Sequence, residues 1–309
     1  QVGPRLAHLL FLCRTCRTKM IEYEEDWILR VLFRYEGSVV LKSLIYSLPA
    51  LVLSTMLLYM DEWEPDFREE YGLVNLDKSQ IWAATTGVLF TLLAFRIREA
   101  WGRFWEGTGL LHQMRGEWFD TISNLVTFSI RARKERKEEV DTFRHTIVRL
   151  MSLCHGAALE EIADNSFKLE SIDTFGLSRE TLNHVQDCYL NYHFNKVEVM
   201  VHMLQSLITN AHDTGILNIP APILSRVYQT TSRGFVNLLN AKKIQDTKFP
   251  FPLAQVIYFL LVSNLVVMPL QISTFISSKV LCAVVSFLPV WGAFCLNFIA
   301  QELENPFGE

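Results

Sequence analysis

Ala300-Gln301-Glu302-Leu303-Glu304-Asn305-Pro306-Phe307-Gly308-Glu309 follows directly on the apolar run Val280–Ala300. A helix of about 20 apolar residues spans the hydrocarbon core of a bilayer. Its stop at Asn305-Pro306 has a physical cause. A proline ring pushes the residue before it out of helical geometry, and a glycine soon after accepts the backbone angles that end a helix. The stretch therefore reads as a membrane helix reaching its boundary.

Three upstream segments qualify as its companions. Leu41–Met60 is interrupted only by Lys42 at its edge, and Leu253–Ile272 carries no charge. Ile81–Phe95 is short for a span and continues into a polar end, Arg96 to Glu106, so it counts over about residues 81–100. The spans are thus expected over about 41–60, 81–100, 253–272 and 280–300. Half of the 309 residues are hydrophobic, with 21 Phe and 7 Trp, yet 20% are charged. The apolar runs sit at the two ends and the charge in the middle, the pattern of a membrane protein with a large polar insert.

That insert, residues 106–248, reads as long helices. Trp118, Ile122, Leu125 and Val126 recur at helical spacing, as do Phe143, Ile147, Leu150 and Met151. Ser178 is placed to cap a helix running to His212, which Asp213-Thr214-Gly215 breaks. Ile219-Pro220-Ala221-Pro222 starts the next, to about Lys243. No strand signal, repeat or linker stands out. The expected class is all-α and polytopic, with residues 1–309 forming one integrated domain.

The loop Asp61–Gln80 holds seven acids against Arg68 and Lys78, whereas Arg96, Arg98, Arg103, Arg115 and the run from Arg131 to Lys137 follow the second span. The positive-inside rule then puts the middle region and both termini on the cytosol-like side. The second span carries Thr85, Thr86, Gly87 and Thr91, which lipid would not select. Such a face either packs tightly on neighbouring helices or meets water.

Other chemistry is thinly represented. Cys13 and Cys16 have metal-like spacing, but no second pair or nearby His completes a site. The first 20 residues carry Arg5, Arg14, Arg17 and Lys19 and no acid, which suits a transit-peptide remnant or an amphipathic lead-in equally. A net charge of −4 and the lack of an aromatic-interleaved basic surface give no sign of nucleic-acid binding. No G-x-S-x-G, P-loop or H-E-x-x-H motif occurs, and the eight His are scattered, so no enzyme is expected.

Four stretches carry a resemblance to a known family: V-L-F-R-Y-E-G-S-V-V-L-K-S-L-I-Y at 31–46, L-L-A-F-R-I-R-E-A-W-G-R-F-W-E at 92–106, F-P-F-P-L-A-Q-V at 249–256, and A-Q-E-L-E-N-P-F-G-E at 300–309. Together they resemble the bestrophin family of anion channels, with Phe104 in place of the middle Trp of the family's R-W-W-E cluster. The resemblance implies a homopentamer whose central pore is lined by the second span of each subunit. It places a neck at Gly87, Thr91 and Phe95, one helical turn apart on one face, and a cytosolic aperture at Ile223, just after Pro222. Counting back from Pro252 without gaps would choose Leu224 instead. Arg96 and Arg98 would concentrate anions near the cytosolic mouth.

The family commonly has bulky apolar side chains at all three neck positions. Gly87 and Thr91 depart from this and imply a wetter neck with a weaker dewetting gate. Val88 and Leu92 would take over if the helix were rotated. No cofactor is expected with certainty. Calcium is a candidate regulator, but the acidic run that binds it in animal members would lie after Glu309, and Glu302, Glu304 and Glu309 alone leave the metal unassigned. The implied permeant ions are chloride, bicarbonate or nitrate, in a plasma membrane or an organelle membrane such as that of a plastid. A non-conducting membrane scaffold and a secondary anion transporter are the alternatives.

Overall fold

The computed structural model describes residues 37–64, 81–163, 179–192 and 194–307. Among them are eight α-helices and one short 3-10 turn, and no strand. The helices are α1 (Val39–Trp63), α2 (Ile81–Phe128), α3 (Lys137–Ile162), α4 (Arg179–Tyr192), α5 (Lys196–Asp213), α6 (Ala221–Asp246), α7 (Phe251–Phe275) and α8 (Lys279–Glu304). They fall into two compact units. The first holds α1, α2 as far as Trp105, α7 and α8; the second holds the rest of α2, α3 to α6, and Phe307.

In the first unit α1, α7 and α8 are long and apolar enough to cross a membrane. Among the described residues these three are the helices of that kind, and the second expected span, at the start of α2, is not one of them. Ser38 caps α1 by accepting from the backbone N–H of Val40. Pro49, Pro269 and Pro289 lie inside α1, α7 and α8 without ending them. Helices in apolar surroundings tolerate proline where neighbours cover the break.

α1 and α8 run antiparallel. Ser43 Oγ lies 2.9 Å from Cys295 Sγ near one end, and Lys279 Nζ donates to Glu62 Oε2 at 2.6 Å near the other. Ser43, Ser47, Ala50 and Ser54 are fully buried along α1 and are small enough for close helix approach. Their hydroxyls return to their own helix, as Ser47 Oγ does to the carbonyl of Ser43 at 2.9 Å, so burial leaves no donor unpaired.

The second unit is built on the expected stripes. Met114, Trp118, Ile122 and Leu125 of α2 meet Phe143, Ile147, Leu150 and Met151 of α3 in one core with Leu204 and Ile208 of α5. Val126 is only partly buried against it. At Gly234 of α6 an added Cβ would stand 2.3 Å from Trp118 Nε1, so the indole packs directly on the α6 backbone. From there it donates to the carbonyl of Thr231 at 3.3 Å.

One expectation needs correcting. The helix read as running to His212 is two helices, because Asn195 starts α5 anew: its backbone is extended and its Oδ1 accepts from the N–H of Val197 at 2.8 Å. The proposed cap at Ser178 lies outside the described residues. Gly215, at φ +79, follows the end of α5 in the left-handed geometry that glycine accepts.

Candidate functional site: the two faces of the second helix

The first half of α2 has two unlike faces. Leu89, Leu93, Arg96 and Ala100 are all buried, and their spacing of four, three and four residues places them on one stripe. Gly87, Thr91, Phe95 and Arg98, at intervals of four, four and three residues, lie about half a turn away, and all four are exposed. Thr91 Oγ1 donates to the carbonyl of Gly87 at 2.8 Å, so the hydroxyl proton is held by the helix while the oxygen faces outward. A Cβ added at Gly87 would meet no atom within 4 Å. Phe95 is 45% exposed. Of the two alternative neck residues, Leu92 packs against the core of the unit, whereas Val88 is exposed.

Arg96 has a different place from its neighbour Arg98. Its side chain is 4% exposed and grips Glu304 with two hydrogen bonds, Nε to Oε1 at 2.6 Å and Nη2 to Oε2 at 3.0 Å. Nη1 donates to Asn297 Oδ1 at 2.7 Å. The guanidinium also lies 5.0 Å from the Phe249 ring centre and 5.9 Å from that of Tyr258. Asn297 and Glu304 are seven residues apart on α8 and so share one face. The sequence reading grouped Arg96 with Arg98 as anion-attracting; here the Arg96 charge is matched by a carboxylate, while Arg98 is exposed.

Ile223 is 44% exposed in the first turn of α6, and Leu224 beside it is buried in the core. Glu302 is exposed, Glu304 is committed to Arg96, and Glu309, Cys13 and Cys16 lie outside the described residues. No group of three or more His, Cys, Asp or Glu side chains among the described residues gathers as a metal site.

The bacterial/fungal bestrophin family matches residues 19–309. The chain belongs to that family. Its fold agrees with solved bestrophin structures. A bacterial bestrophin homologue from Klebsiella pneumoniae phased on zinc is 15% identical, with a TM-score of 0.62 over 86% of this chain and 90% of that one. A point variant of a homologue from the same organism is 16% identical, with a TM-score of 0.64 over 87% and 91%. A structure described as a membrane protein is 15% identical, with a TM-score of 0.65 over 88% and 90%. At such identities the likeness shows the fold. No curated protein sequence matches. This bestrophin is an integral membrane protein, as its family and its apolar helices require.

Proposed function

We propose that this bestrophin is a pentameric anion channel in which α2 supplies the second of four membrane spans and lines a central pore. The observation that carries the reading is the outward stripe of α2. Gly87, Thr91, Phe95 and Arg98 are all exposed within their own chain, although the opposite stripe is fully buried. A pore built by five copies needs such a face.

Its chemistry suits anions. A phenyl ring carries a positive edge and a negative face, so five Phe95 edges around an axis favour an anion that has shed part of its hydration. Weakly hydrated anions lose least and pass best. Gly87 and Thr91 make the remainder of the neck wide and wettable, which weakens any dewetting gate. Arg98 supplies the attraction at the mouth, since Arg96 is neutralised by Glu304. Ile223 forms the second constriction, because its neighbour Leu224 is engaged in the core. Chloride, bicarbonate or nitrate is the cargo, and both termini lie on the cytosol-like side.

The test is planar-bilayer recording of the purified protein in a chloride gradient, with thiocyanate then replacing chloride. A reversal potential near the anion equilibrium value, shifted further by thiocyanate, is expected. Absence of current from protein verified as a pentamer, at all voltages and with calcium added, would refute it.

A further inference from the structure

Adjacent residues of α2 have opposite surroundings: Phe95 faces outward, and Arg96 is buried in a set of directional contacts. Of the other members of the buried stripe, Leu89 and Leu93 lie in the apolar core of the unit and Ala100 is buried. Apolar contact is roughly non-directional and tolerates a helix turning or sliding by a fraction of a residue. A guanidinium gripping a carboxylate through two parallel hydrogen bonds does not, because the fork fixes both angle and height. The third bond, to Asn297, comes from the same face of α8 one turn pair earlier. Tyr258, beside the guanidinium, is itself held by the amide of Gln301 on α8.

We propose that Arg96, Glu304 and Asn297 form a register lock: α8 sets the rotation of α2, and so decides that the stripe of Gly87, Thr91 and Phe95, rather than a face turned toward Leu92, is presented to the conduction path. The three are positioning residues. The inference rests on the channel reading above. Successive residues of a helix point about 100° apart, so holding Arg96 on α8 holds Phe95 where it stands. Releasing the lock lets α2 turn, and selectivity changes without any substitution among the pore-facing residues.

The test uses the full-length channel in bilayers and reads the thiocyanate-to-chloride permeability ratio. Phe95→Ala in the otherwise native protein is expected to lower the ratio. In a Glu304→Gln background that effect should shrink by about twofold or more, the least coupling typical of residues in one network. Glu304→Asp keeps a carboxylate and should recover part of the effect; it also serves if Glu304→Gln fails to assemble. A contact that only stabilises the fold would lower the melting temperature and leave the ratio alone. Native ratios and an undiminished Phe95→Ala effect in both Glu304 variants overturn the lock.

Should the native protein pass no anion, the channel reading alone fails. The lock is then judged by the extra modification that Phe95→Cys gains from a charged thiosulfonate in vesicles. A rate changed about twofold or more by Glu304→Asp or Glu304→Gln upholds it, and an unchanged rate overturns it.

Discussion

Gly234→Ala should destabilise the second unit even though alanine is the better helix former. The new Cβ would lie 2.3 Å from Trp118 Nε1, 2.4 Å from Cδ1 and 3.1 Å from Cε2. Carbon atoms rest at about 3.5–4.0 Å, so the indole must retreat by more than about 1 Å. Trp118 is 1% exposed, with His155 edge-on to its ring at 5.9 Å, and has little room for that. Overpacking a closed core costs about 1–3 kcal/mol. A displaced indole also weakens its bond to the carbonyl of Thr231, worth about 1 kcal/mol net. Against these stands a gain of about 1 kcal/mol for replacing glycine inside a helix. The losses win by about 2 kcal/mol, a melting-temperature drop of about 4–8 °C for a unit of this size. Tryptophan fluorescence during thermal unfolding in detergent reads it directly. Gly116→Ala is the control: it lies in a helix interior where an added Cβ meets nothing within 4 Å, and it should raise the midpoint slightly. If Gly234→Ala melts at or above the native temperature, the indole is not confined and the packing argument fails.

Gly87→Ile should cut single-channel conductance while leaving the melting temperature within about 1 °C, since the side chain enters space that its own chain leaves open; unchanged conductance removes Gly87 from the neck. Leu224→Ala should cost about 2–5 kcal/mol and Ile223→Ala about 0.5 kcal/mol or less, because one side chain is in the core and the other is exposed; equal losses in thermal unfolding would contradict that division. Burial, with a smaller push from Arg115, drops the His155 pKa to about 4. An unfolded chain then binds a proton from about pH 6.5 downward that the folded chain refuses until about pH 4. Stability should therefore fall across that window by up to about 3 kcal/mol, and His155→Gln should flatten this part of the pH dependence of the melting temperature.

The apolar runs and their ends were legible because both rest on local physics. Pro220 before α6 and the stop after Glu304 follow from proline geometry. The core stripes of α2 and α3 were legible because periodicity encodes them. The break before α5 was missed because Asn195 looks like any polar residue in a helical pattern until its cap is seen. The lock at Arg96 was missed for another reason. Arg96 opens a run of charges and reads as part of a polar helix end, and Glu304 reads as a solvated acid. They meet across 208 residues of sequence, which no window spans. A signal existed: at helical spacing Arg96 falls in line with Leu89, Leu93 and Ala100, so a buried stripe was being asked to hold a charge.

α2 continues unbroken from Ile81 to Phe128, and this limits how such a chain can vary over evolutionary time. Each residue of an α-helix adds about 1.5 Å of rise and about 100° of turn. Deleting one residue between Gly87 and Phe95, with Arg96 still gripped, would therefore swing Gly87 and Thr91 about a quarter turn out of line with Phe95. The helix has no break between these residues to absorb the error. Diversity in this segment must come from exchanging side chains at fixed length, whereas residues 276–278, which join α7 to α8, can gain or lose a residue at little cost.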